Sequence, residues 1–220
     1  MSLGSDVKVS AVMTCGRYEA VFARNMIEKA LRSLGIGLVT SQGVFYGQCM
    51  QRMFEDVLKI GADILLTIDG DSVFTADHVK RLLNVIVQED KIDALAPLQV
   101  RRGKPEVLGF HEGKTNIEWT GYPVQLDSAH FGLTAIRVEK LRAVKKPWFF
   151  SQPDENGEWE EGRIDDDIWF WKQWKEAGNS LYLDAGCRIG HLEEMVASFQ
   201  EDLTPVHVYP GEWQGDARCD

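Results

Sequence analysis

The sequence predicts a single α/β domain built on an open, Rossmann-like mixed sheet flanked by helices. Three observations predict it. Apolar runs and amphipathic stretches alternate through residues 7–100 as strand, helix, strand, helix, strand, helix, strand, the rhythm of crossovers in an open sheet. The run Ile64-Leu65-Leu66-Thr67-Ile68 is apolar on both faces, as a central strand covered by helices on each side must be. Finally, 220 residues with 44% hydrophobic content can fill one sizeable core.

Residues 7–13 alternate and then run apolar like a buried strand, until Thr14-Cys15-Gly16-Arg17 breaks the pattern. Ala23, Ile27, Leu31 and Leu34 recur at helical spacing with Lys29 and Arg32 off the stripe, and Gly35 and Gly37 stop the helix. Residues 37–40 make a short second strand. Met50, Met53, Phe54, Val57 and Leu58 share one side of a helix over residues 48–60, which Gly61 ends. The central strand follows and runs out into Asp69-Gly70-Asp71. Thr75 suits the N-cap of a third helix through Val79, Leu82, Leu83 and Ile86, and residues 92–98 read as a fourth strand. Past residue 100 the rhythm changes. Arg101-Arg102-Gly103-Lys104-Pro105 is a basic turn, and residues 117–125 and 131–136 read as strands with no long helix between them, so this half is a mixed extension of the same sheet. A last helix spans residues 165–177 with Gly178 as its stop, followed by the strand Leu181-Tyr182-Leu183 and by Gly190-His191.

The formal charge of −10, from 34 acids against 24 bases, opposes binding to a nucleic-acid backbone or an anionic membrane. No apolar run approaches the roughly 20 residues that cross a bilayer, and the first residues lack a basic stretch followed by an apolar one. Cys15, Cys49, Cys187 and Cys219 are widely spaced, with no Cys-x-x-Cys pair, and read as reduced thiols rather than a zinc site or a disulfide framework. The expectation is a cytoplasmic chain with no membrane insertion and no nucleic-acid partner. Its charge is uneven: residues 154–167 hold Asp154, Glu155, Glu158, Glu160, Glu161, Asp165, Asp166 and Asp167 against Arg163 alone.

In an open α/β sheet ligands collect beyond the carboxyl ends of the strands, where Asp69 and Asp71 should lie. Side chains two apart in extended backbone point the same way, and Gly70 between them lets a ligand approach closely. Two converging carboxylates suit Mn²⁺ or Mg²⁺, although Asp-Gly-Asp also makes an ordinary turn. Asp165-Asp166-Asp167 opens the last helix. One acid would cap it; three adjacent carboxylates repel one another, which makes sense if one faces a cation or accepts a proton. His191 follows a strand, and neutral imidazole is a further ligand for Mn²⁺, although a lone histidine also serves structurally.

The order Asp69-Gly70-Asp71, then residues 131–137 (Phe-Gly-Leu-Thr-Ala-Ile-Arg), Pro147-Trp148-Phe149, Asp166-Asp167-Ile168-Trp169-Phe170, Asp184 and Gly190-His191 resembles nucleotide-sugar glycosyltransferases of the GT-A fold, family 2-like, over residues 7–192. The resemblance implies a metal-dependent, hexosyltransferase-like enzyme that moves one sugar, with inversion, from a nucleotide sugar, a UDP-sugar first, to a hydroxyl of a saccharide or other acceptor. It implies a donor-binding half over residues 7–100, with Thr14, Gly16, Arg17, Asp69 and Gly70 at the donor and Asp71 and His191 at Mn²⁺ or Mg²⁺. An acceptor-side half over residues 101–195 would bring Trp119, Asp127, His130 and Gly132 to the acceptor and Asp166 or Asp167 as catalytic base. Residues 1–6 would be a leader and 196–220 a tail. The chain departs from the family in having Asp-Asp for the usual Glu-Asp and in keeping only Gly132 of a Gly-x-Gly-Phe run. It has no Gln-x-x-Arg-Trp motif, so transfer would be non-processive.

Other classes have weaker footing. Residues 67–72 superficially resemble the nucleophile strand of haloacid-dehalogenase phosphatases, which carry their Asp pair on the first strand. A nucleotidyltransferase would need a glycine- and lysine-rich loop that is absent after the first strand. A carbohydrate- or sugar-nucleotide-binding protein on a degenerate transferase fold has no need of Asp69, Asp71 and His191 together. The acidic run, with Gly157 and Gly162 inside it, reads as a lid over the donor.

Overall fold

The computed structural model describes residues 7–15, 20–103, 106–108, 123–160, 162–200, 202 and 204–210. β1 (Val9–Cys15) leads into α1 (Val21–Ser33), whose Ala23, Ile27, Ala30 and Leu31 are buried, and β2 (Gly37–Gln42) leads into α2 (Tyr46–Ile60). This second helix begins at Tyr46, ahead of its apolar stripe, and Gly61 closes it in the left-handed region at φ 70°. β3 (Ile64–Ile68) is buried throughout and β4 (Ser72–Val73) follows it. α3 (Ala76–Gln88) starts after Thr75, whose N–H donates to Nδ1 of His78 at 3.0 Å, and β5 (Ala94–Leu98) completes the first half.

The second half contributes β6 (Pro123–Leu126), β7 (Leu133–Arg137), the short α4 (Val138–Leu141), α5 (Asp166–Glu176), β8 (Leu181–Arg188), β9 (Gly190–His191), β10 (Val196–Phe199) and β11 (Pro205–Val208). Among the described residues, seven strands make one sheet in the order β2-β1-β3-β7-β5-β8-β6. β1 is parallel to β2 and β3, but β7 runs antiparallel to both β3 and β5, with Leu66 facing Ala135 and Ala94 facing Ile136. The second half therefore does not merely extend the sheet. Its β7 is inserted between two strands that the alternation placed in one parallel series, a non-local pairing that side-chain periodicity does not encode. Within the stretch read as a tail, β10 and β11 pair antiparallel, with Val196 opposite Val208.

Alternation along the strands divides the core into two layers. Ala11, Met13, Ile64, Leu66 and Ile68 meet Ile27, Leu31, Leu82, Leu83 and Ile86 of α1 and α3. Val12, Leu65 and Ile136 face the other way, onto α2 and α5. That second layer is aromatic: Phe54, Phe131, Phe149 and Phe170 pack with ring centroids 5.0–6.5 Å apart, and Trp171 stacks on Phe131 at 5.3 Å. Of the aromatic run in the last helix, Phe170, Trp171 and Trp174 are core, whereas Trp169 sits at the edge against Phe150.

A half-buried ion pair ties a helix to the sheet. Arg81 of α3 grips the fully buried Asp184 of β8 with Nε at 2.6 Å and an Nη at 2.9 Å, a two-pronged contact. Removing the cation alone strands a buried carboxylate. Because the guanidinium is 45% exposed, Arg81→Met is expected to lower the unfolding free energy by about 2 kcal/mol, less than the roughly 3–5 kcal/mol of a fully buried pair. Urea unfolding checks this, and a loss under about 0.5 kcal/mol would contradict it.

Candidate active site

β1 and β3 run parallel, so Thr14 and Asp69 emerge from the same edge of the sheet. A second, two-stranded pairing brings the remote part of the chain to that edge. Ser72 of β4 faces His191 of β9, Val73 faces Gly190, and the Leu192 N–H donates to the Asp71 carbonyl at 2.8 Å. Gln99 locks the pairing from behind: its Nε2 donates to Ser72 Oγ at 3.1 Å and to the Gly190 carbonyl at 3.3 Å. Gly132 is required beside this lock. A Cβ there would lie 2.5–2.8 Å from Gln99, His130 and Ser72 side-chain atoms.

The result is a cavity of about 580 Å³ whose walls include Thr14, Asp69, Gly70, Asp71, Asp166, Asp167 and His191, together with Arg24, Tyr46 and Arg102. His191 Nε2 lies 3.4 Å from Asp71 Oδ2, and Arg102 Nη1 lies 2.9 Å from the same oxygen. His191 Nδ1–H donates to the Val100 carbonyl at 3.0 Å, which fixes the ring and leaves Nε2 turned toward Asp71. A carbonyl behind one ring nitrogen is the usual support for a histidine that ligates a metal through the other.

Crowded carboxylates perturb one another here. Burial, then the charges of Asp71 and Asp167, push Asp69 up to about 7. Asp167 is also raised, first by burial and then by its acidic neighbours. Burial would raise Asp71 too, but the hydrogen bond and charge of His191, with Arg102, outweigh it and hold Asp71 below its ordinary value. His191 is raised in turn by its bond to Asp71. The Tyr46 hydroxyl is held well above its usual range by burial and by Asp69, Asp167, Asp166 and Asp71, so it stays a proton donor among four carboxylates. Asp166 rests against the first turn of α2, where a Cβ on Gly47 would lie 2.9 Å from its carboxylate oxygens.

Thr14, Asp69, Gly70, Asp71, His130, Asp166, Asp167 and His191 are thus brought to one cavity. Gly132 lies beneath it. Asp127 is not among the residues lining this cavity; its carboxylate lies 2.6 Å from Lys175 Nζ on α5. Gly16, Arg17 and Trp119 lie outside the described residues. Tyr46 and Arg102 are cavity residues that the periodicity did not single out. The signals were present but unspecific: an aromatic just before an amphipathic stripe and an arginine in a basic turn. Among the described residues, no three His, Cys, Asp or Glu side chains group closely enough to hold a metal ion by themselves. Asp71 and His191 offer two ligands, carboxylate oxygen and imidazole nitrogen, a donor set that suits Mn²⁺ better than Mg²⁺. The acidic run is tied at its base, where Gln152 and Ile164 pair, and Asp154 accepts the N–H groups of Asn156 and Glu158.

No protein-family model matches the chain, and no curated protein matches it. Solved structures do. A197 from STIV aligns over 91% of this chain and 94% of its own, with a TM-score of 0.62 at 15% identity. GalNAc-T7, solved with UDP, GalNAc and Mn²⁺, aligns over 85% of this chain and 44% of its own, with a TM-score of 0.53 at 11% identity, so the present chain spans less than half of that protein. At such identities the likeness speaks to architecture. The fold is a single α/β domain of the GT-A type, as the motif order led one to expect.

His130 gives the site a stability signature. Its Nδ1 accepts the Gly132 N–H at 3.0 Å and its Nε2–H donates to the Pro97 carbonyl at 2.9 Å, while burial brings its pKa down to about 4 from 6.5. The unfolded chain takes up this proton below about pH 6.5 and the fold refuses it until about pH 4, so stability from His130 is complete above 6.5 and is lost on acidification toward 4, about 3 kcal/mol in all. Asp69, with its raised value, acts in the opposite direction over the same interval, so comparison with a variant is needed. The stability advantage of the protein over His130→Gln should shrink by about 3 kcal/mol between pH 7 and pH 4 in urea unfolding. A constant difference would contradict the assignment.

Proposed function

We propose that the protein is a divalent-metal-dependent glycosyltransferase that moves a single sugar, with inversion, from a nucleoside diphosphate donor to a hydroxyl of a saccharide or other acceptor. The reading includes the family 2-like resemblance and a cytoplasmic setting, and no helix among the described residues is long and apolar enough to cross a membrane. One observation carries it: Asp69, Asp71 and His191 share one cavity with Asp166 and Asp167 at the carboxyl edge of the sheet. The GT-A architecture and a structural neighbour solved with UDP, GalNAc and Mn²⁺ support it.

Asp71 and His191, 3.4 Å apart, would hold Mn²⁺ or Mg²⁺. When bound, the cation would neutralise the charge that develops on the departing diphosphate. Asp69, near half-protonated at pH 7, can both accept from and donate to the hydroxyls of a donor's ribose or sugar, beside Thr14 and Gly70. Tyr46 lines the same space and keeps its hydroxyl proton. The acceptor hydroxyl must lose a proton as it attacks, and Asp167 would take it: both carboxylates line the cavity, but Asp167 has a raised affinity for a proton and Asp166 packs on the start of α2. The phosphatase reading gains nothing here, since Asp69 follows β3, not the first strand, and burial disfavours the ionised form that a nucleophile requires.

Thermal-shift measurements with UDP-, GDP-, CMP- and dTDP-sugars, with and without Mn²⁺, test this reading. Stabilisation by one donor only when Mn²⁺ is present is expected, and no response to any of them would overturn it. With the responding donor, Asp167→Asn should lower kcat about 10²- to 10⁴-fold and leave donor affinity unchanged. Full turnover in Asp167→Asn, with loss in Asp166→Asn, would move the base to Asp166.

A further inference from the structure

We propose that Arg102 is the resident counter-cation of Asp71, and that a divalent cation entering the site must displace it, so that Arg102 sets the metal affinity. The inference rests on the proposed role of Asp71 and His191 as the cation's ligands. Arg102 Nη1 sits 2.9 Å from Asp71 Oδ2, the oxygen that His191 Nε2 also faces at 3.4 Å. A cation bound between that oxygen and the imidazole, at roughly 2.1 Å from each, would stand within a few ångströms of the guanidinium charge. Arg102 and the metal are therefore alternative partners for one carboxylate.

The contact is built into the backbone. The Val100 carbonyl accepts His191 Nδ1–H at 3.0 Å, and the Gly103 N–H donates to the Glu193 carboxylate. Across the turn the Arg101 N–H donates to the Glu106 carbonyl at 2.7 Å, and Gly103 takes φ 71°. Both flanks of Arg102 are thus fastened to the strand that carries His191 and to the segment just after it, which holds the guanidinium beside Asp71. The side chain itself is 63% exposed, so it can leave Asp71 without unburying a charge or opening the core. In the metal-free protein it offsets the repulsion between Asp71 and Asp69. Once displaced, it remains at the wall of the same cavity as a positive charge for an anionic ligand.

The test is a titration of the full chain with Mn²⁺ alone, with free Mn²⁺ read by electron paramagnetic resonance, for the unchanged protein, Arg102→Gln and Arg102→Lys. Arg102→Gln should bind Mn²⁺ roughly three- to tenfold more tightly, and Arg102→Lys should stay close to the unchanged protein. A residue that merely shapes the turn would not tighten metal binding when removed. Equal or weaker affinity in Arg102→Gln overturns this inference and leaves the metal assignment standing. Failure of all three proteins to bind Mn²⁺ overturns the metal assignment, and the inference with it.

Discussion

The site depends on a two-residue pairing. β4 and β9 meet only through Ser72 with His191 and Val73 with Gly190, yet that contact places an imidazole from the far end of the chain beside Asp71. So short a ladder has little stability of its own. It is held because Ser72 is buried, because Gln99 bonds both strands, and because Gly132 leaves room for the Gln99 amide. Here the packing of two short strands against Gln99 and Gly132 is converted into a 3.4 Å approach between two candidate ligands.

The second organising fact is charge. Asp69, Asp71, Asp166 and Asp167 line one cavity, with the protonated Tyr46 beside them and Arg102 paired to Asp71. The fold copes with this density in three ways: it keeps a proton on Asp69 for much of the acid range, it supplies the Asp71 pairing, and it sets Asp166 at the first turn of a helix, where negative charge is favoured. Each of these leaves an anionic cavity. Under the proposed function, an anionic donor would need a mobile cation to enter it, which would couple donor to metal.

Much of the fold was legible in the residues. The apolar-rich strand at residues 64–68 announced a central position, Thr75 and Gly61 marked helix ends, and the Asp-Gly-Asp run showed where the chain leaves the sheet into the cavity wall. What was not legible was pairing. Nothing in the alternation of residues 131–137 says that β7 inserts between β3 and β5, and nothing around Asp127 in the sequence announces its contact with Lys175 of α5. Tyr46 was missed because it precedes the apolar stripe of its helix, and Arg102 because a basic turn on an acidic protein looks like a solvated one.

The account stands or falls on whether the acidic cavity takes a nucleoside diphosphate through a divalent cation. Calorimetric titration of UDP into the unchanged protein, with and without Mn²⁺ at constant ionic strength, measures this directly. Binding that appears only with Mn²⁺, and is lost in Asp71→Asn, is the predicted result. UDP affinity that is the same in both conditions would contradict it.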